Sequence, residues 1–217
     1  MSSRLVRFTR LASLLLGGLA VAAGSAGGVR DAVAGTLVEG AIEGVPVRFE
    51  MGQDRTRVLA SIGGSRHLID LSREHVYALD RAVPLRVRAG LHDDGASTAH
   101  YQLSEWSPGP PIGGHGSHYN VLQLGETICG EVLASRWMLE FLGPVVRSVE
   151  LMQRLVPDIR PRPRGDCGAI PFNAYAGNGW PLMAGWKDAT VVMTDNVRFD
   201  HKIDAASFAL PQRYSEE

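Results

Sequence analysis

The sequence predicts a mainly β protein of the α+β class, a curved antiparallel sheet or open half-barrel with a helix in its concave face. Twenty-five glycines and 12 prolines favour turn-rich β structure over helices. Most of the chain beyond residue 35 alternates apolar and polar residues in short stretches, which is the period of a strand. A single later stretch has helical spacing, and a sheet wrapped around one helix encloses an apolar interior.

The first 34 residues are predicted to be a secretory signal peptide. Three arginines precede 11–29, an uncharged stretch of small and apolar residues. Peptidase motifs occur at Ala20-Val21-Ala22 and at Ala32-Val33-Ala34, so the cut falls after residue 34 or nearer residue 22. The stretch is shorter than the roughly 20 apolar residues of a comfortable membrane span. An uncleaved anchor is the alternative. We expect a periplasmic or secreted protein.

The mature chain, residues 35–217, is predicted to form one domain without a transmembrane span. Cleavage after residue 34 removes four arginines and one aspartate, so the net charge falls from −1 to −4. A mildly acidic chain has no general attraction for nucleic acid or anionic lipid. We therefore expect no nucleic-acid partner, and no pattern indicates a cofactor.

Short strands follow one another along this domain. Alternation and turn residues predict strands at 45–51, 57–62, 67–71, 75–79, 83–87, 99–103, 119–124, 136–142, 169–174, 180–184, 190–194 and 197–203. Gly63-Gly64 and Asn178-Gly179 are typical of hairpin turns. The stretch 107–118 holds three prolines and four glycines, which predicts a long mobile loop.

One segment changes to helical spacing. Val145, Val149, Met152 and Val156 recur every three or four residues, which predicts a helix. Pro144 suits the first turn of that helix, where a missing N–H costs nothing.

The two cysteines, Cys129 and Cys167, are predicted to form a disulfide, the usual state of a lone pair in an exported protein. The bridge would close a loop of roughly 40 residues and contribute about 4 kcal/mol on the chain-entropy model. Two buried free thiols are the alternative.

Three short motifs in the final third carry a family resemblance. Ile128-Cys-Gly130, Gly179-Trp-Pro-Leu182 and the segment from Phe208 to Tyr214 occur in that order. This order resembles exported bacterial domains of unknown function related to the lipoprotein-carrier (LolA/LolB-like) half-barrel. The resemblance implies a curved antiparallel sheet around helices, and, for the true carriers, transport of acyl chains through the periplasm. No functional residue transfers with it.

The resemblance and the apolar interior together predict a non-enzymatic binding or carrier protein for an apolar or lipid-like ligand. The side chains expected to line its cavity are Phe49, Trp137, Phe141, Met152, Trp180 and Trp186. For the tryptophans, core packing is the favoured interpretation over a ligand cavity, since Trp137 alternates with Leu139 and Phe141 as on the buried face of a strand. An envelope protein is the alternative partner, docked through a sheet edge or through 107–118.

Catalytic and metal-binding patterns are weak. His115 and His118 could share a metal with His92, Asp93, Asp94 or His100, which would make a metal-dependent hydrolase. However, no acidic or cysteine partner stands at fixed spacing around the two histidines. We therefore predict no catalytic residue and no metal ligand.

Overall fold

A computed structural model describes residues 32–80, 85–88 (backbone only), 100–104 and 107–210. Residues 1–31, and with them most of the predicted signal peptide, lie outside this range, as do His92, Asp93, Asp94 and Trp106. The strands are β1 (Ala32–Ile42), β2 (Val45–Gly52), β3 (Arg57–Ile62), β4 (Ser65–Asp70), β5 (His75–Ala78), β6 (Leu85–Arg88), β7 (Tyr101–Leu103), β8 (Ser107–Pro108), β9 (His118–Leu124), β10 (Thr127–Ser135), β11 (Trp180–Trp186) and β12 (Ala189–Asp204). The helices are α1 (Arg136–Leu155) and α2 (Phe172–Tyr175), with 3-10 turns at Pro157–Ile159, Gly165–Cys167 and Ala205–Phe208.

All described strands belong to one open antiparallel sheet, which confirms the predicted mainly β class. Their order is β6-β5-β4-β3-β2-β1-β12-β11-β10-β9-β7, and β8 pairs with the other half of β9. The chain thus builds one wing of consecutive hairpins, β1 to β6, and a second wing, β7 to β11. The two longest strands, β1 and β12, join the wings at the centre.

Two β-bulges interrupt the pairing of β1 with β12, after Gly35 and before Gly40. A Cβ on Gly35 would come 2.5 Å from the Met51 carbonyl oxygen, and one on Gly40 would come 2.0 Å from that of Met193. Only glycine lets the neighbouring backbones approach this closely. Bulges of this kind bend a sheet.

Apolar side chains cover both faces of the first wing. On one face the main core includes Phe49, Ile69 and the buried side of α1. The side chain of Leu68 points to the opposite face of the sheet from that of its neighbour Ile69. There Leu68 and Tyr77 form a smaller cluster, against which Phe208 packs. The last described residues therefore pack on the face of the sheet opposite to α1.

The predicted strand at 136–142 is wrong, because α1 begins at Arg136. Trp137 and Phe141 lie one helical turn apart, and Met138 and Leu142 are the buried members of this stretch. The helical spacing predicted from Val145 onward is confirmed, but Pro144 lies inside the helix instead of in its first turn.

The predicted mobile loop at 107–118 is also wrong, because this stretch forms a hairpin. Ser107 and Pro108 pair with β9, and the Gly109 N–H donates to the Ser117 carbonyl. At the tip, Ile112 and His115 exchange two backbone hydrogen bonds across a two-glycine turn. Gly113 and Gly114 both have positive φ, as such a turn requires.

Further differences concern shorter stretches. The predicted strand at 169–174 is wrong, since α2 covers its second half. Asn178-Gly179 precedes β11 and does not join two strands. The predicted strands at 190–194 and 197–203 are parts of the single strand β12. β10 was not predicted, and neither was β1, whose first residues Ala32–Ala34 pair with Lys202–Asp204.

The sulfurs of Cys129 and Cys167 lie 2.04 Å apart, at disulfide distance, as the sequence predicted. The bridge joins β10 to the 3-10 turn Gly165–Cys167 and so fixes the segment that follows α1. In the described part of the chain, no helix is both long and apolar enough to cross a membrane.

Candidate functional site

The six predicted cavity residues do not come together in one cavity. Phe49, Met152 and Trp180 are buried in the main core, with at most 3% of each residue exposed. Trp137 and Phe141 are exposed on α1. Trp186, at the end of β11, is half-buried and packs against that core. The six residues thus lie in the core, on the exposed side of α1 and at the end of β11.

The core around Trp180 is filled. Its indole N–H donates to the Thr194 hydroxyl at 3.0 Å, and that hydroxyl donates to the Pro181 carbonyl at 2.8 Å. The ring lies 5.6 Å from that of Phe172. A gap of about 10 Å³ beside Trp180 and Phe49 has about the size of one water molecule. These contacts give Trp180 a structural role.

Trp180 and Trp186 have different surroundings because a β-bulge lies between them in β11. Six positions apart, they would share one face of a regular strand. The register with β12 shifts between Ala184 and Gly185 and breaks the alternation. Trp186 instead packs beside the Arg164 guanidinium, 5.8 Å from its ring centre, and beneath the Lys187 ammonium at 4.4 Å.

Four neighbouring rings form what we call the aromatic cluster, made of Trp137, Phe141, Phe199 and His115. Trp137 and Phe141 are exposed, whereas Phe199 and His115 are half-buried. The Phe199 ring centroid lies 5.2 Å from that of Trp137 and 5.4 Å from that of Phe141. The imidazole of His115, at the tip of the 107–118 hairpin, lies 6.1 Å from Trp137. The first two turns of α1, the middle of β12 and this hairpin thus meet at one surface.

Arg55 holds the part of α1 that carries this cluster. Pro144 has no N–H, so the Glu140 carbonyl loses its helical partner. The Nη2 group of Arg55 donates to the carbonyls of Glu140 at 2.8 Å and Phe141 at 2.7 Å. A side chain from the β2–β3 turn therefore satisfies the backbone at the proline.

A second candidate site is the outer groove, an open groove of about 410 Å³ along β10 and β11. Ile128, 65% exposed, is the one large apolar residue of its lining that is exposed. The groove is lined by Tyr119, Ile128, Gly130, Glu131, Leu133, Met183, Gly185, Trp186, Lys187, Asp188, Ala189 and Thr190. It thus has an apolar floor and a polar, charged rim.

Tyr119 and Glu131 form the polar side of the outer groove. Burial, together with the hydrogen bond and charge of the Glu131 carboxylate, raises the pKa of the Tyr119 phenol. A tyrosine phenol is protonated at neutral pH, so Tyr119 can donate to that carboxylate. Lys187 supplies a cation at the other side, over Trp186.

A buried ion pair lies beside Trp186, one of the groove residues. Arg164 Nη2 lies 2.6 Å from Oε1 and 2.7 Å from Oε2 of Glu43, and the two side chains are 9% and 6% exposed. Arg162 Nε lies 3.8 Å from the same carboxylate. Tyr175 lies close by, and burial raises the pKa of its phenol. The Cys129–Cys167 bridge and this pair together fix Arg164 beside Trp186.

His115 and His118, the two histidines considered as possible metal ligands, belong to different elements. His115 belongs to the hairpin tip, whereas His118 begins β9 and pairs with Ala134. Within the described ranges, no group of three or more His, Cys, Asp or Glu side chains could hold a metal ion.

Sequence reasoning missed the main groove residues. Ile128, Met183 and Tyr119 were assigned to motifs or strands without a functional role, and their shared location depends on the pairing of three strands. Arg164 has no sequence signal of a functional role, and its pairing with Glu43 depends on the fold. The one sequence signal of the groove is an isoleucine at position 128 within a turn-rich motif, where an apolar side chain is expected to be exposed.

Comparison with known proteins gives no match to a family model, a curated protein or a solved structure. The resemblance to LolA/LolB-like half-barrels therefore stays a prediction.

Proposed function

We propose that this protein is a non-enzymatic binding protein outside the cytoplasm that holds an apolar or lipid-like ligand in the outer groove. The observation that carries the proposal is an open groove of about 410 Å³ in which Ile128, Met183 and Trp186 are accessible beside polar groups. Small-molecule sites typically measure roughly 300–1,000 Å³ and combine an apolar lining with a few polar groups.

The lining indicates the class of ligand. Ile128, Leu133 and Met183 offer contacts to a hydrocarbon chain and no hydrogen bonds. Glu131 accepts hydrogen bonds and Lys187 donates them, so a polar head fits at the rim. A molecule with a short acyl chain and a small polar head matches this arrangement.

The finer fold proposal is a half-barrel that curves around α1. In support, α1 contacts both β3 and β11, which three strands separate in the sheet order. The glycine bulges of the central strand pair provide a physical means of bending. The core beneath α1 is filled around Trp180. We therefore place the ligand on the outer face of the sheet and not inside the half-barrel, where a carrier of acyl chains would hold it.

Calorimetric titration with monododecanoylglycerol, below its aggregation concentration, tests the proposal. We expect binding by the wild-type protein and its loss in Ile128→Glu, which puts a charge on the groove floor. Phe141→Ala is the matched control, since it removes an exposed apolar side chain outside the groove.

Both substitutions are at exposed positions, so circular dichroism should show an intact fold in each variant. Wild-type protein that binds no monododecanoylglycerol, or an Ile128→Glu variant that binds it as well as the wild type, would overturn the proposal. Crosslinks from the groove to a protein instead of a lipid would favour the envelope-partner alternative.

A further inference from the structure

The rim of the outer groove carries charges of both signs. Among the described lining residues, Lys187 is the one cation, and Glu131 and Asp188 are the two anions. All three residues are exposed. The apolar floor of the groove selects for a chain, and these charges can in addition select the charge of the head.

The Lys187 ammonium and the Glu131 carboxylate are held apart. Glu131 pairs with Gly185, and Lys187 follows two positions later, in the turn after β11. Neighbours placed diagonally in this way on adjacent strands lie roughly 7–8 Å apart. The ammonium instead lies 4.4 Å from the ring centre of Trp186, and the carboxylate accepts a hydrogen bond from the Tyr119 phenol. Each charged group thus contacts a neutral aromatic side chain.

Both charged groups keep hydrogen-bonding capacity for a ligand. An ammonium has three N–H donors, and a carboxylate has about four acceptor positions. A head with one anionic and one cationic group engages both at once. A purely anionic head would meet Lys187 but also face the carboxylates of Glu131 and Asp188, where like charges repel. A purely cationic head would leave Lys187 without a counter-ion.

We propose that the ligand of the outer groove is an amphiphile with one acyl chain and a zwitterionic head of the phosphoethanolamine type. This inference rests on the function proposed above and adds the charge of the head. The phosphate lies against Lys187 and the ammonium against Glu131. The chain follows Ile128 and Met183 along the floor of the groove.

Calorimetric titration with two ligands that share the dodecanoylglycerol group tests the charge of the head. Monododecanoylglycerol is neutral, and dodecanoyl lysophosphatidylethanolamine adds only phosphoethanolamine; both are used below their aggregation concentrations. Two charge contacts at an exposed rim should make the zwitterion bind roughly tenfold more tightly to the wild type. This ratio of affinities should fall towards one in Lys187→Met and in Glu131→Gln. Lys202→Met is the matched control and should keep the ratio, because Lys202 is exposed outside the groove.

The ratio separates this inference from the function on which it rests. Equal affinities of the wild type for the two ligands, or a ratio that survives in both groove variants, would overturn the zwitterionic head and leave ligand binding intact. Tighter binding of dodecanoyl lysophosphatidylglycerol than of the ethanolamine ligand would also overturn it, in favour of an anionic head. Wild-type protein that binds none of the three ligands would overturn the proposed function and this inference together. All three substitutions are at exposed positions, and circular dichroism checks that each variant is folded.

Discussion

The buried Glu43–Arg164 pair gives the sharpest test of how the outer groove is held. Replacing Glu43 with glutamine leaves the Arg164 guanidinium charged and 9% exposed without its carboxylate. Removing one partner of a buried ion pair costs about 3–5 kcal/mol. That is a large share of the roughly 5–15 kcal/mol that stabilises an ordinary domain.

The opposite change should cost less. In Arg164→Met, Glu43 keeps a second cation, because Arg162 Nε lies 3.8 Å from its carboxylate. We therefore expect a loss near the lower end of the same range. The double variant removes both charges, so its loss should be smaller than the sum of the single losses by about 2 kcal/mol, as for residues in direct contact.

Urea unfolding, followed by circular dichroism, measures the free energy of unfolding for all four proteins. Strictly additive losses would refute this reasoning, because the two side chains would then contribute independently. The ion pair also fixes Arg164 beside Trp186, 5.8 Å from its ring. Glu43→Gln is therefore expected to weaken binding of monododecanoylglycerol in conditions where the variant is still folded.

Three further perturbations and one mass measurement test other parts of the structure. Replacing Cys129 and Cys167 with alanine should lower the free energy of unfolding by about 4 kcal/mol; an unchanged urea midpoint would contradict this. Arg55→Ala removes two charged hydrogen bonds at the helix proline. It should cost roughly 1–2 kcal/mol, and we expect faster amide exchange in the first turns of α1; unchanged exchange would refute the role of this arginine. Burial alone would raise the pKa of Asp70, but hydrogen bonds from Ser72 and Arg73 and the charge of Arg57 outweigh it and lower the pKa. Its stabilisation is thus present above the unfolded-state pKa of about 3.9 and is lost as the pH falls through the lower folded-state pKa. Asp70→Asn should therefore destabilise the protein at pH 7 and flatten the acid limb of its stability curve, and an unaltered pH profile would count against this. Cleavage after Ala34 would remove three paired residues of β1, so the intact mass of the protein isolated from its own cells should include them; a chain that starts directly after Ala34 would contradict this expectation.

The helix boundary shows how far local sequence could predict this fold. Trp137, Leu139 and Phe141 alternate as in a strand, while Met138 and Leu142 continue the helical spacing of the later residues. Local pattern could not decide between them, because Pro144 disfavours a continuous helix. The side chain that compensates is Arg55, 85 residues from Glu140.

The disulfide was predicted from the sequence, whereas the 107–118 hairpin and β1 were not, and the difference depends on long-range contacts. A disulfide was predictable because the chain has only two cysteines. The hairpin at 107–118 was missed because its prolines outweighed the turn signal of Gly113-Gly114. β1 was missed because Gly35 and Gly40 dilute its apolar pattern, and both are required by close backbone contacts with distant strands.

The outer groove could not be predicted for the same reason. Its floor combines residues from β10 and β11, and the bulge at Ala184 separates Trp186 from Trp180. Neither the register of these strands nor the bulge has a local sequence signal. The sequence indicated that aromatic and apolar side chains could line a site, but which of them lie together in the groove depends on tertiary structure.

Native mass spectrometry of the protein purified from its own cell envelope tests the central claim most directly. We expect the wild-type protein to carry an adduct with the mass of a lipid or another molecule with an apolar chain. The Ile128→Glu variant, purified in the same way, should show the mass of the bare chain. A bare wild-type protein, or an equal adduct in both, would contradict ligand binding in the outer groove.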